Sequence, residues 1–200
     1  MKGPGVLCLE GDWDQSLESR LSIETALRLL ENNHTIRLVH RDVGTRAELD
    51  HYVDRWLGGK ELKGFDLIYL GFHGSAESFY IGDVGVSLDE FADLVDGRGT
   101  GKVFYFASCE VLAAEDDVLT GFCRRTGARA IAGYTRMVGW VEAAAFELLL
   151  VSALVSYRNM KAAYTGLRKE YPELTTKLGF RMAHANWASE RSIAVAAAAS

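Results

Sequence analysis

The chain is short of proline, of cysteine, of positive charge and of long apolar runs. Two prolines in 200 residues, and no stretch biased toward glycine and serine, leave nothing that resembles a linker, and no internal repeat is visible. A single domain is therefore expected, over residues 1–185, with 186–200 as a C-terminal tail that frays from Ala194 onward. Three cysteines, Cys8, Cys109 and Cys123, are too few and too unevenly spaced for a disulfide framework, and no Cys-x-x-Cys pair suggests a structural zinc site. A reducing, cytoplasmic setting fits that count. Lysine and arginine number 22 against 27 aspartates and glutamates, for a net charge of -5, which argues against a nucleic-acid surface as the main function. The most apolar stretch, 141–155, contains Glu142 and Glu147 and is too short to span a bilayer. The first apolar run soon meets Glu10 and Asp12, so no secretion signal is expected either.

What the chain does have is an alternation of short apolar runs with helical patterns. Residues 6–9 form a first buried strand, after which Leu17, Leu21, Leu27 and Leu30 recur at roughly helical spacing until Asn32 and Asn33. A second strand is expected at 35–39. Thr45 with Glu48 three residues on makes a capping box for a helix through Leu49, Val53 and Trp56 that stops at Gly58 and Gly59. Phe79 to Ile81 and Val84 to Val86, parted by Gly82 and Asp83, predict a small inserted β-hairpin, and Ser87 with Glu90 caps the helix after it. Further strands are expected at 102–109 and 130–132, a helix at 117–125, a long apolar helix through Phe146 and Leu154, another at 160–169 and an edge strand at 179–182. Strands separated by helical crossovers imply an α/β fold, a three-layer, doubly wound, mostly parallel sheet.

Two of these strands end on chemistry. The run 65–73 closes on His73 and Gly74, and the run 102–109 closes on Ser108 and Cys109. In a parallel sheet the carboxyl ends of neighbouring strands open onto one crevice, where an imidazole and a thiol can meet. A thiol beside an imidazole is activated as a nucleophile, and the imidazole can later protonate a leaving amine. Cys8, in a buried strand, and Cys123, on a helix beside Phe122, are expected to be packing residues. A metal site built on His73 and Cys109 is disfavoured, because no further ligand has recognisable spacing, and no cofactor is called for.

Strand–His73–Gly74, then strand–Ser108–Cys109, then the run Gly127-Ala-Arg-Ala-Ile-Ala-Gly133 resembles the caspase-like cysteine peptidases, especially bacterial caspase-like and CHAT-domain proteins. The resemblance implies the caspase-haemoglobinase fold and a cysteine endopeptidase in which Cys109 is the nucleophile and His73 the base and acid. It also implies an oxyanion hole from the backbone N–H groups of Gly74 and Cys109, and Gly74 suits that place because it lacks a Cβ. Relatives of this kind act in prokaryotic immunity and regulated cell death, which implies a peptide or protein substrate, control by a nucleotide signal or partner protein, and a homo-oligomer as one route to activation. Two other readings fit the same residues: an inactive caspase-like sensing or interaction module, and a cysteine hydrolase of small amides or esters.

Substrate charge is left open at this level. Glu10, Asp12 and Asp14 follow the first strand, where the resemblance places part of the substrate pocket, and Glu110 adjoins Cys109. These acids favour arginine or lysine before the cleaved bond. Arg136, in the segment after the fifth strand, would instead receive an acidic side chain.

Overall fold

A computed structural model describes residues 3–14 and 16–190. Its elements run β1 (Gly5–Glu10), α1 (Glu24–Asn32), β2 (Arg37–Asp42), α2 (Arg46–Gly58), β3 (Phe65–Gly71), β4 (His73–Ser75), β5 (Ser78–Ile81), β6 (Val84–Ser87) and α3 (Leu88–Val95). They continue with β7 (Val103–Phe106), α4 (Asp116–Thr126), β8 (Ala130–Tyr134), α5 (Trp140–Ser156), α6 (Met160–Glu170), α7 (Pro172–Lys177), β9 (Phe180–His184) and β10 (Trp187–Ala188). A seven-stranded sheet has the order β10-β9-β8-β7-β3-β1-β2. β2, β1, β3, β7 and β8 are parallel, while at one side β9 pairs antiparallel with β8 and β10 antiparallel with β9.

The strands alternate two kinds of side chain. In β7, Phe104 and Phe106 face α2, α3 and α4, and Val103 and Tyr105 face the opposite layer of α1, α5 and α6. Helices on both faces bury β1 and β7 completely, which is why these strands carry no alternating polar stripe. On the first face Phe91 of α3 meets Phe79, Phe104 and Phe106 edge-on or nearly so, at centroid distances of 5.6, 5.9 and 5.8 Å. Such pairs contribute about 0.5–1.5 kcal/mol each beyond the burial of their area. Phe79, Ile81 and Val86 belong to this core, so the insert is anchored to the domain.

Both expected capping boxes form, Thr45 with Glu48 on α2 and Ser87 with Glu90 on α3. Three expectations differ. The helix through Leu17 and Leu21 begins only at Glu24, leaving Leu17 fully exposed and Leu21 half exposed. Here Asp14, Ser16, Ser19 and Ser22 accept hydrogen bonds from the backbone N–H groups of Ser16, Glu18, Leu21 and Glu24, a local alternative that competes with helix. The insert is a three-stranded antiparallel sheet, β4-β5-β6, rather than a two-stranded hairpin, because the chain leaves the main sheet after Gly71 and His73 pairs with Tyr80. Finally, β9 is not an edge: β10 pairs outside it, past residue 185, while the tail expected from Ala194 lies outside the described residues. Among the described residues no helix is long and apolar enough to cross a membrane.

Candidate active site

β3 and β7 are adjacent and parallel, with Leu70 opposite Phe106, so His73 and Cys109 follow their strands at the same offset. The Ala107 N–H donates to the Leu70 carbonyl at 2.9 Å, carrying the pairing one step toward the site. Both side chains line one cavity of about 250 Å³, together with Trp13, Leu21, Tyr69, Phe72, Ala107, Val138, Trp140, Ala143 and Glu147. His73 is exposed and Cys109 half-buried.

The imidazole is held by the backbone of the loop after β1. His73 Nε2 lies 3.0 Å from the Trp13 carbonyl oxygen, and the Trp13 indole meets the imidazole edge-on at 5.7 Å. A carbonyl oxygen only accepts, so this bond puts the proton on Nε2 and leaves Nδ1 as the basic nitrogen of the neutral ring. Trp13 also stacks on Trp140 at 6.0 Å, and the two indoles wall the cavity.

Gly74 is fixed by contact. A Cβ there would stand 2.5 Å from the Cys109 carbonyl oxygen and 2.8 Å from Val111 Cγ2, so only glycine lets the two strand-end turns approach this closely. After Cys109 the chain turns through Glu110, whose φ of 59° places a non-glycine residue in the left-handed region, a strained turn beside the thiol. Arg181 of β9 secures the following segment. Fully buried, its guanidinium donates to the carbonyls of Leu112 at 3.0 Å and Ala114 at 2.5 Å and pairs with Asp116.

A family model described as "Family of unknown function (DUF6642)" matches residues 4–184. The chain belongs to this family. No curated protein matches it in sequence. Among solved structures, this DUF6642 chain is similar to caspase-1 from Spodoptera frugiperda, with a TM-score of 0.53 and 15% identity over 84% of this chain and 76% of that one. The likeness is one of fold: the chain has the caspase-like α/β architecture, a mostly parallel central sheet with helices on both faces.

The expected substrate-binding residues are placed otherwise than their charges suggest, for among the described residues none of them lines the cavity. Glu10 is buried, and its two oxygens accept from Trp13 Nε1 at 2.5 Å, Ser22 Oγ at 2.7 Å, the Ile23 N–H at 2.8 Å and His40 Nε2 at 2.7 Å. Its lone pairs are taken up by these four donors, and it lines the neighbouring cleft rather than the cavity of Cys109 while it organises the loop that carries Trp13. Asp12 and Asp14 line a separate cleft that shares Trp13 and Leu21 with the first. Asp14 also closes a local turn by accepting from the Ser16 N–H. Glu110 contributes its backbone, its N–H donating to the Arg136 carbonyl at 3.2 Å. The Arg136 side chain packs over Gly179 and reaches the Lys177 carbonyl at 3.5 Å, on the β9 side of its loop.

Burial shapes the titration of the Glu10–His40 pair but does not decide it. Desolvation pushes the Glu10 carboxyl up, yet the hydrogen bonds from His40, Ser22, Trp13 and Ile23 outweigh it and hold the group below its ordinary 4.5. Desolvation likewise pulls His40 down, and the bond to Glu10 with the charges of Glu10, Glu24 and Asp42 carries it above 6.5. Cys8, Glu10 and His40 bring metal-ligand types of atom within 4.8 Å of one another. The direct His40–Glu10 hydrogen bond uses the lone pairs a cation would need, and burial keeps the Cys8 thiol neutral. Burial also pushes the Cys123 thiol up to about 12, in keeping with a packing role.

Glu147 went unrecognised at the sequence level. Buried in α5 at the base of the cavity, it accepts from the hydroxyls of Tyr69 at 2.5 Å, Tyr105 at 2.8 Å and Tyr134 at 3.1 Å. Desolvation pushes this carboxyl above its ordinary 4.5, against the lowering effect of the three hydroxyls. An acid in the middle of a long apolar helix, with Phe146 before it and Leu148 to Leu150 after it, is the signal that could have found it.

Proposed function

We propose that the chain is a caspase-like cysteine hydrolase that cleaves peptide bonds, with Cys109 as nucleophile and His73 as base and acid. The observation that carries this reading is the matched placement of His73 and Cys109 at the ends of adjacent parallel strands, lining one cavity. In the reaction His73 Nδ1 takes the thiol proton as the sulfur attacks the scissile carbonyl carbon. The backbone N–H groups of Gly74 and Cys109 stabilise the oxyanion, and the close approach of Gly74 to Cys109 supports that use. Collapse of the tetrahedral intermediate breaks the C–N bond, with the His73 proton passing to the departing amine. Water then attacks the thioester with His73 taking its proton, which frees the acid product and restores the thiol.

On this reading the enzyme is a regulated effector, brought to full activity by a nucleotide signal, a partner protein or a second copy. Exposure of Met137 and Val141 on the segment flanking the cavity supports control through that segment. The test is reaction with peptidyl acyloxymethyl ketones, read by mass spectrometry, alongside hydrolysis of fluorogenic peptides. Covalent labelling at Cys109, lost in both Cys109→Ala and His73→Ala while those proteins stay folded, is expected. Unchanged hydrolysis by Cys109→Ala would overturn the assignment. Hydrolysis of small esters with no peptide cleavage would redirect it to a small-molecule hydrolase.

A further inference from the structure

The cavity beside Cys109 is lined mostly by apolar and aromatic side chains. Trp13 and Trp140 form one side, Phe72, Val138 and Ala143 supply much of the rest, and Glu147 is the one carboxylate among the described residues that line it. Glu147 at the base accepts from three tyrosine hydroxyls. Glu10, behind Trp13, is saturated by its own donors, and Arg136 is directed toward Lys177. An arginine, lysine or aspartate side chain entering here would shed its water and find no matching counter-charge, a cost of several kcal/mol. An aromatic or large aliphatic side chain would lose nothing polar and would stack on indole.

We infer that this cavity is the subsite for an aromatic or large aliphatic side chain of the substrate, on the residue that supplies the scissile carbonyl. The inference rests on Cys109 being the nucleophile, since that places the residue it acylates next to the cavity. It replaces the basic preference that the acids after β1 suggest, because those acids stand in another cleft or are buried.

The experiment has a catalytic and a binding arm. Peptidyl acyloxymethyl ketones differing only in the residue before the warhead are reacted with the intact protein, and labelling at Cys109 is timed. Phenylalanine or leucine should react about tenfold or more faster than arginine, lysine or aspartate. Val138→Asp, which puts a carboxylate in the wall, should move the preference toward arginine, and Ala143→Phe, which fills the cavity, should slow the phenylalanine probe while iodoacetamide still alkylates Cys109. Fastest labelling by arginine or aspartate probes would overturn the subsite and leave the peptidase reading standing. In the second arm N-acetyl-phenylalaninamide and N-acetyl-argininamide are titrated against the tryptophan fluorescence of the wild-type protein. Saturable quenching by the first alone, abolished in Ala143→Phe, upholds the cavity's choice of an aromatic side chain even if no probe labels Cys109, in which case the peptidase reading has failed and with it the placing of that side chain before the scissile bond. Absence of both quenching and labelling would overturn both.

Discussion

Replacing Glu147 by alanine tests the reasoning about buried polar groups most directly. The carboxyl is the acceptor for Tyr69, Tyr105 and Tyr134, and the last two hydroxyls also lie close enough to bond each other. Glu147→Ala therefore strands about two buried hydroxyls, at roughly 1–3 kcal/mol each. The vacated volume adds about 1 kcal/mol. A loss of about 3–7 kcal/mol follows, a large share of the roughly 5–15 kcal/mol that holds a domain together. With a urea slope of about 2 kcal/mol per M, the midpoint should fall by about 1.5–3.5 M. Glu147→Gln keeps an acceptor in place and should lose less than half as much. The pH dependence fixes the protonation state independently. Because the folded pKa is raised above 4.5, the unfolded chain releases its proton first, and wild-type stability falls as pH rises from that value through the folded pKa, by at most about 1.4 kcal/mol per pH unit. The penalty of Glu147→Ala should shrink over the same interval, since the variant has no such group. A penalty that grows with pH would mean that the three hydroxyls hold the carboxyl charged, and would refute the argument that desolvation dominates.

Other outcomes follow from neighbouring contacts. Gly74→Ala should lower peptide hydrolysis by about a hundredfold or more while the protein stays folded, because the new methyl forces the Cys109 carbonyl away; unchanged kcat would show the contact to be yielding. For the Glu10–His40 pair, a lowered acid and a raised imidazole give stabilisation that is complete between 4.5 and 6.5, fades as pH rises through the folded His40 value and fades again as it falls through the folded Glu10 value. His40→Gln should flatten the alkaline limb of a plot of urea midpoint against pH, and an unaltered limb would count against the pairing. Arg181→Leu should cost about 3–5 kcal/mol in urea denaturation by leaving the carbonyls of Leu112 and Ala114 without a donor, and a cost under about 1 kcal/mol would remove Arg181 as the clamp on this segment.

What the sequence disclosed was local or periodic. Thr45 with Glu48 and Ser87 with Glu90 state their caps within one helical turn, and both form. His73 and Cys109 could be found because each ends an apolar run, and parallel neighbours align such ends. The loop from Gly11 to Ser22 misled, since leucines at helical spacing outweighed the serines and Asp14 that hold its backbone out of a helix. The Trp13 carbonyl that orients His73 is a backbone atom, which any residue could supply, so nothing in the letters marks it. Glu147 escaped because its partners come from three strands far apart in the chain and converge only once strand order and register are known. Nothing local announces the burial of Glu10, which depends on His40 from β2 and on the start of α1.

The tyrosine hydroxyls that meet on Glu147 also act on how the chain finds its alignment. Tyr69 and Tyr105 are direct partners across β3 and β7, between strands whose other buried residues are interchangeable apolar ones. A slip of β7 by one residue would exchange its faces, burying the Tyr105 hydroxyl among the phenylalanines of α3 and α4 with no acceptor, while Phe104 or Phe106 came to face the carboxyl. Hydrophobicity alone barely distinguishes the two alignments, since both bury the strand. The acid and its hydroxyls do distinguish them, so a misaligned sheet carries unsatisfied polar groups at its centre and is a poor kinetic trap. Replacing Glu147 by leucine together with all three tyrosines by phenylalanine would keep the core greasy and remove that discrimination, and its expected signature is slower, multiphasic refolding in a protein of near-normal stability.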